Sequence, residues 1–318
     1  SVEDILEFYG EGQFTHGCSV DHIIFDFYDT EFDFTFENKE VLRRQEICLT
    51  NASEFILKAK KIVGNHFTPV GVVHGWSPKS MADAASKMVK MGYKYLALGG
   101  MVPLKSSQIM SALIAVRSSI PKDVELHILG FAKSDDLNQF VGKGINSIDT
   151  TSPLLRAFKD KTNNYYTKSD DKYVYYAAIR VPQALGNNEL KKLVNSGSLD
   201  LEKAVILERQ TLKEIRSYAS NGGDYKNALN SLRDYWELIL SDKAKKNQSE
   251  ANKLLEKQSS NALRTLQDRP WEKCECKICK KIGVDVVIFR GNNRNRRRGV
   301  HNLHVYYQHI KEVQRLEK

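Results

Sequence analysis

Residues 67–76 read "FTPVGVVHGW". The run is apolar and β-branched until it breaks at Gly75, the pattern of a buried strand that carries His74 at its C-terminal end. The next stretch, "SPKSMADAASKMVKMGY" (77–93), has the marks of a capped helix, with Ser77 at the N-cap and Pro78 at the first helical position. "KYLALGGMVPL" (94–104) returns to a strand and closes on the pair Gly99–Gly100. The alternation continues with a helix in "KSSQIMSALIAVRSSI" (105–120), a strand in "ELHILGFA" (125–132) and a helix in "SDDLNQFVGKG" (134–144). A last strand, "INSIDTT" (145–151), delivers Asp149. Strands and helices in strict alternation imply parallel pairing through helical crossovers. In a (β/α)8 barrel such strand ends converge on the active-site face. A doubly wound sheet fits the alternation too, but it usually shows an early phosphate-binding glycine loop, and no GxGxxG occurs here. The fold class expected is therefore α/β, a (β/α)8 TIM-like barrel.

On the N-terminal side, "FTHGCSVDH" (14–22) reads as a short strand that delivers Asp21, and "ENKEVLRRQEICLTNASEFILKAKKIV" (37–63) as a long amphipathic helix. Beyond residue 155 the texture changes. "YVYYAAIRVPQA" (173–184) reads as one more strand, and residues 187–266 are almost entirely helical, with a turn at "NGGD" (221–224). The division expected is a partial barrel with the active site over 1–186, an insertion of three or four helices over 187–266, and a metal-binding subdomain with a C-terminal helix over 267–318.

The 318 residues are 41% hydrophobic and 27% charged, enough for one large or two moderate cores and against global disorder. No apolar run nears the roughly 20 residues that cross a bilayer, so no membrane partner is expected. The opening "SVEDILEFYGEG" has neither a basic nor an apolar leader region. Five cysteines without a secretory signal fit a reducing, cytoplasmic location. The formal charge of +9 gains meaning from "RGNNRNRRRGVH" (290–301), which sets Arg290, Arg294, Arg296, Arg297 and Arg298 among Gly and Asn. That is the composition of a basic loop, suited to phosphate contacts, with a solvated face as the plainer reading.

"CECKICKKIGVDVVIFRGNNRNRRRGVHNL" (274–303) holds three of the five cysteines, Cys274, Cys276 and Cys279. C-x-C-x2-C cannot supply two independent disulfides. C-x2-C alone could be a redox pair. Three thiolates with one imidazole make a complete tetrahedral set for structural zinc. His301 suits the fourth place better than His304 or His309, because the last helix is expected to begin there. Four protein ligands leave no open position, so such a zinc is structural rather than hydrolytic. A free thiol cluster and a disulfide are the competing readings.

C-x-C-x2-C followed by a His-Asn-Leu helix start resembles the zinc subdomain of the tRNA-guanine transglycosylase family. "GVVHGW…MGYKYLALGGM" resembles that family's Gly-Ile-Val-Gln-Gly…Gly-Gly-Leu stretch, and "ELHILGFAKSDDLNQFVGKGINSIDTTSP" its Leu-Gly-Val-Gly…Phe-Asp-Cys…Pro stretch. The likeness covers roughly 14–155 and 268–318. It implies exchange of a guanine in a nucleic acid for a free 7-deazaguanine base, on a (β/α)8 barrel with an inserted zinc subdomain. Breaking an N-glycosidic bond builds positive charge at C1′, and a carboxylate there can form a covalent sugar–enzyme intermediate. By position Asp149 matches the family's nucleophile; otherwise it is a strand-end aspartate capping the next helix. Asp21 matches the base-reading aspartate, with Asp26 the lesser candidate. Gly99, Gly100 and Met101 match the turn that brings backbone close to the base. His74 stands where the family usually carries Gln, and Arg156 lies near the family's substrate-contacting arginine.

One departure is larger. The family's second catalytic aspartate sits in an Asp-Ser-Gly-Gly-Phe-type motif on an early strand, and none is found here, which points to a chain shortened at its N-terminus and a barrel incomplete there. "GCSVDHIIFDF" (17–27), His74 and the helical insertion look more like a branch that places 7-cyano-7-deazaguanine (preQ0) into DNA for restriction–modification systems. DNA is thus the expected partner, tRNA the alternative. Either requires the target nucleotide to be extruded, with Arg294, Arg296, Arg297 and Arg298 on the backbone. A non-catalytic zinc-containing nucleic-acid-binding protein and an unrelated barrel are the readings from other classes. The helical insertion could also dock a partner protein of a DNA-modification system.

Overall fold

Why the strands run parallel is plain in their burial: Val70, Gly71, Val72 and Val73 are all buried, as a strand covered on both faces must be. The computed structural model describes residues 1–30, 39–169 and 172–316. Residues 37–38 of the expected long helix, and 317–318 of the expected last one, fall outside these. The chain divides into two compact units, residues 1–151 with the segment from Glu312, and residues 152–311.

The first unit is built on five parallel strands in the order β1-β2-β3-β4-β5. Helix α1 (Val2–Glu11) precedes β1 (His16–Cys18), and α2 (Lys39–Ile62) leads to β2 (Thr68–Val73). Then come α3 (Pro78–Met91), β3 (Tyr95–Leu98), α4 (Ser106–Ser119), β4 (Glu125–Ile128) and β5 (Ser147–Ile148). Consecutive neighbours in one direction are the arrangement of an arc of a barrel. No sheet of eight strands is present among the described residues, so the expectation of a full barrel is narrowed to this five-stranded arc. The expected helix at 134–144 is only a 3₁₀ helix, Ser134–Phe140.

Local chemistry sets the boundaries. Ser77 caps α3 by accepting from Ser80 N at 3.0 Å, and Gly92 ends it in the left-handed region at φ 108°. Helix α2 lays Val41, Cys48, Ala52, Phe55 and Ala59 along its buried face. Val2, Leu6, Phe55, Ala59 and Phe67 form the cluster that ties α1 and α2 to the approach of β2.

The second unit opens with α5 (Ser152–Lys159) and an antiparallel hairpin of β6 (Tyr165–Ser169) and β7 (Lys172–Tyr176). The stretch expected as a single strand over 173–184 is thus two: β7, then the short β8 (Ile179–Arg180). Helices α6 (Asn188–Asn195), α7 (Leu201–Asn221), α8 (Lys226–Lys246) and α9 (Gln248–Asp268) follow. After them come α10 (Lys277–Ile282), a 3₁₀ turn at Gly283–Val287, β9 (Ile288–Phe289) in parallel pairing with β8, and α11 (Asn292–Leu316). One core runs through this unit, from Tyr165 and Ile179 through Leu232, Tyr235 and Trp236 to Cys276, Cys279 and Val286. Trp236 donates from Nε1 to Arg180 O at 2.8 Å, and Tyr235 donates to Pro182 O at 2.7 Å.

The helices at 187–266 and the segment after 267 share that core, and the boundary between the two compact units falls at 151/152. The arginine-rich stretch is not a loop, because α11 starts at Asn292 and His301 lies well inside it. No described helix is long and apolar enough to cross a membrane.

Candidate active site and metal centre

The ends of β1, β2, β3 and β5 carry Asp21, His74, the Gly99–Gly100–Met101 turn and Asp149. Asp149 sits one residue past β5, with its side chain 56% exposed. Its Oδ1 accepts from Gly130 N at 2.8 Å and from Nε2 of His127, on β4, at 3.1 Å. Nδ1 of His127 lies 2.6 Å from Ser147 Oγ, which in turn is hydrogen-bonded to the Tyr95 hydroxyl. His127 escaped the sequence reading because it occupies an ordinary alternating position of a short strand. The signal lies in register: β4 pairs His127 with Ser147, two residues before Asp149 and on the same face.

Asp21 is partly exposed, and its Oδ2 lies 2.6 Å from Nε2 of His74. The carboxylate accepts, so the imidazole donates from Nε2. His74 is buried, and a Cβ on Gly99 would come within 2.4 Å of its ring. The glycine pair therefore does two things: Gly99 makes room for His74, and Gly100, at φ 75°, turns the chain where a Cβ would strike Ile24 O at 2.5 Å. Sealed under that turn, His74 makes its Nε2 contact with Asp21. Met101 is buried beside the turn, and Asp26 is exposed. Cys18 shares this rim, its thiol pushed up to about 11 by burial and by the charges of Asp21 and Asp149.

In the second unit, Cys274, Cys276, Cys279 and His301 bring their ligand atoms within 4.8 Å of one another. Nδ1 of His301 lies 3.4, 3.4 and 3.3 Å from the three sulfurs. A tetrahedral zinc with sulfur at about 2.3 Å and nitrogen at about 2.0 Å has sulfur–nitrogen edges of roughly 3.5 Å. The donor set fits a structural metal. Its support is built in: His301 Nε2 donates to Tyr166 O at 2.9 Å, which leaves Nδ1 as the bare lone pair. The Tyr165 ring stacks on the imidazole at 4.1 Å. Cys276 also caps α10 by accepting from Cys279 N at 3.3 Å.

The arginines divide. Arg298 is buried, donating to Ala157 O and Asn295 Oδ1, each at 2.7 Å, with Phe289 against its guanidinium. Burial brings its guanidinium down to about 9. It pins α11 into the unit and does not face a phosphate, which corrects that expectation. Arg294 is paired with Asp285, and Arg290 with Glu208. Arg296 and Arg297 are exposed. Arg156 lies over the Tyr175 ring at 4.8 Å.

No family model matches the chain. A DNA-guanine transglycosylase of Salmonella montevideo is 40% identical over 310 residues, which is 97% of this chain and 71% of that protein. A queuine tRNA-ribosyltransferase of Buchnera aphidicola subsp. Schizaphis graminum (strain Sg) is 34% identical over 89 residues, 27% of this chain and 24% of that one. With Asp149 at its strand end, and a Cys3His cluster where the resemblance requires one, the chain belongs to the tRNA-guanine transglycosylase superfamily of pentosyltransferases.

Proposed function

We propose that the protein exchanges a guanine base in DNA for a free 7-deazaguanine, preQ0, through a covalent intermediate on Asp149. The observation that carries this reading is the hold on Asp149: both donors take Oδ1, so Oδ2 has no partner among the described residues. Oδ2 attacks C1′ of the extruded nucleotide; the C1′–oxygen bond forms as the C1′–N9 bond breaks, and guanine leaves with the bonding pair. The incoming base then attacks C1′ through N9, breaking the ester and restoring the carboxylate. The proton lost from N9 of the incoming base balances the one gained by the departing guanine, so no net acid or base is consumed.

Asp21, held by His74, reads the base through its N1–H and amino group, with the Gly99–Gly100 backbone close to the ring and Met101 behind it. The barrel that the five-stranded arc belongs to is proposed to be the family's (β/α)8 barrel. The metal is proposed to be Zn²⁺, held by Cys274, Cys276, Cys279 and His301. It supplies a cross-link, and its four protein ligands leave no place for a substrate atom. Arg296 and Arg297 are the backbone contacts proposed on α11.

DNA is favoured over tRNA by the DNA-guanine transglycosylase relative, whose match runs along nearly the whole chain. The shorter match to the queuine tRNA-ribosyltransferase keeps tRNA as the second reading. The test is incubation of purified protein with preQ0 and, separately, duplex DNA or tRNA, followed by digestion and mass spectrometry of the nucleosides. A modified deoxynucleoside alone supports the DNA reading. A modified ribonucleoside alone replaces it with the tRNA reading, and no modified nucleoside from either polymer overturns base exchange.

A further inference from the structure

The described residues around Asp149 form a chain of hydrogen bonds across three adjacent strands. It runs from Tyr95 on β3, through Ser147 on β5, to His127 on β4, and ends on Asp149 Oδ1. Each donor direction follows from the last. An ionised Asp149 can only accept, so His127 Nε2 carries the proton; Nδ1 is then an acceptor; Ser147 must donate to it and accept from Tyr95. The parallel register makes this geometry unavoidable, because His127 pairs with Ser147 and Ser147 stands two residues before Asp149 on the same face. His127 is mostly buried, at 18% side-chain exposure, while Asp149 is open. The support is sheltered and the carboxylate it holds is not.

We propose that His127 is a positioning residue for Asp149: with the Gly130 N–H it pins Oδ1, so that Oδ2 faces C1′, while Ser147 and Tyr95 fix the imidazole in its donating tautomer. The proposal rests on the reading of Asp149 as nucleophile. Its energetic logic follows the charge. The Nε2–H bond is strong to a carboxylate and weaker to the ester carbonyl that Oδ1 becomes once Oδ2 binds C1′. In the second half of the reaction the incoming base displaces Asp149, negative charge returns to the carboxylate, and the bond strengthens again. A donor whose grip grows as Asp149 leaves speeds resolution of the intermediate. His127 needs no contact with the substrate for this.

The test uses the full chain with tritiated guanine as the exchanging base and duplex DNA or tRNA as acceptor, comparing wild type, His127→Leu, His127→Gln, Ser147→Ala and Asp149→Asn, with melting followed for each. Loss of one hydrogen bond to a charged group predicts that His127→Leu lowers kcat about 10- to 100-fold, with KM for guanine unchanged, because Asp21 and its base contacts are untouched. His127→Gln places a fixed donor near the Nε2 position and restores most of that loss; a merely structural gap would not be repaired by one amide. Ser147→Ala, which frees the tautomer, falls between them. The proposal is overturned if His127→Leu keeps kcat within about twofold of wild type, or if His127→Gln is no better than His127→Leu at equal melting temperature. Asp149→Asn separates the two levels. Full activity in that variant removes the nucleophile assignment itself, whereas an inactive Asp149→Asn beside a fully active His127→Leu removes only the role of His127.

Discussion

His127 and His301 each serve a cluster of reactive side chains, and the two regions treat them in opposite ways. On the strand-end rim the supported group, Asp149, is 56% exposed, with one oxygen held and the other free among the described residues. In the Cys–His cluster the imidazole is buried, stacked on Tyr165, and has both nitrogens committed, one to the sulfurs and one to Tyr166 O. A site that must meet a substrate keeps a polar atom reachable and spends its neighbours on aiming it. A site that only holds the chain together closes every position. Changes on the rim should therefore cost rate without stability, and changes in the cluster stability first.

The largest effect expected is on the rim. Asp149→Asn should reduce base exchange by about 10³-fold or more, while the melting curve stays where it was; equal losses of activity and melting temperature would erase the contrast. Next is metal removal. If the metal contributes only about 4 kcal/mol, chelation or Cys279→Ala should lower the melting temperature of the second unit by roughly 10 °C and weaken nucleic-acid binding. Unchanged melting and binding would mean the cluster holds nothing.

Arg298→Ala should follow, costing about 2–4 kcal/mol in denaturant unfolding, because it strands buried acceptors at Ala157 and Asn295. Its neighbours give the smallest effect and the sharpest internal control. Arg296→Ala and Arg297→Ala should leave stability within about 0.5 kcal/mol, and each should lower the slope of log affinity against log salt by about one. A salt slope that responds to Arg298→Ala and not to these two would reverse the assignment made from burial.

What the sequence revealed and what it concealed follow from the range of the forces involved. The run from β2 to β4 was legible because apolar strands, the Ser77–Pro78 start and the Gly92 stop of α3 are local signals. Cys274, Cys276, Cys279 and His301 were legible because metal spacing is a local constraint on one end of the set. His127 was not, since its meaning depends on which strand lies beside β4 and in what register. The arginine-rich stretch misled for a related reason. Gly, Asn and clustered charge disfavour an isolated helix, but tertiary bonds from Arg298 to Ala157 O and from Asn302 to Pro153 O override that preference and draw 292–301 into α11. His74 was placed at its strand end, but its burial beneath Gly99 and its bond to Asp21 were not legible, because only the fold brings those residues together.

The central claim is that Asp149 carries the sugar. The most direct measurement is to mix the protein with nucleic acid and no free acceptor base, quench in acid denaturant, digest with protease and nuclease, and sequence the adducted peptide by mass spectrometry. A pentose ester on the peptide containing Asp149, absent when preQ0 is added before the quench, is the result expected. An adduct on any other residue, or steady base exchange with no adduct at any time, would contradict it.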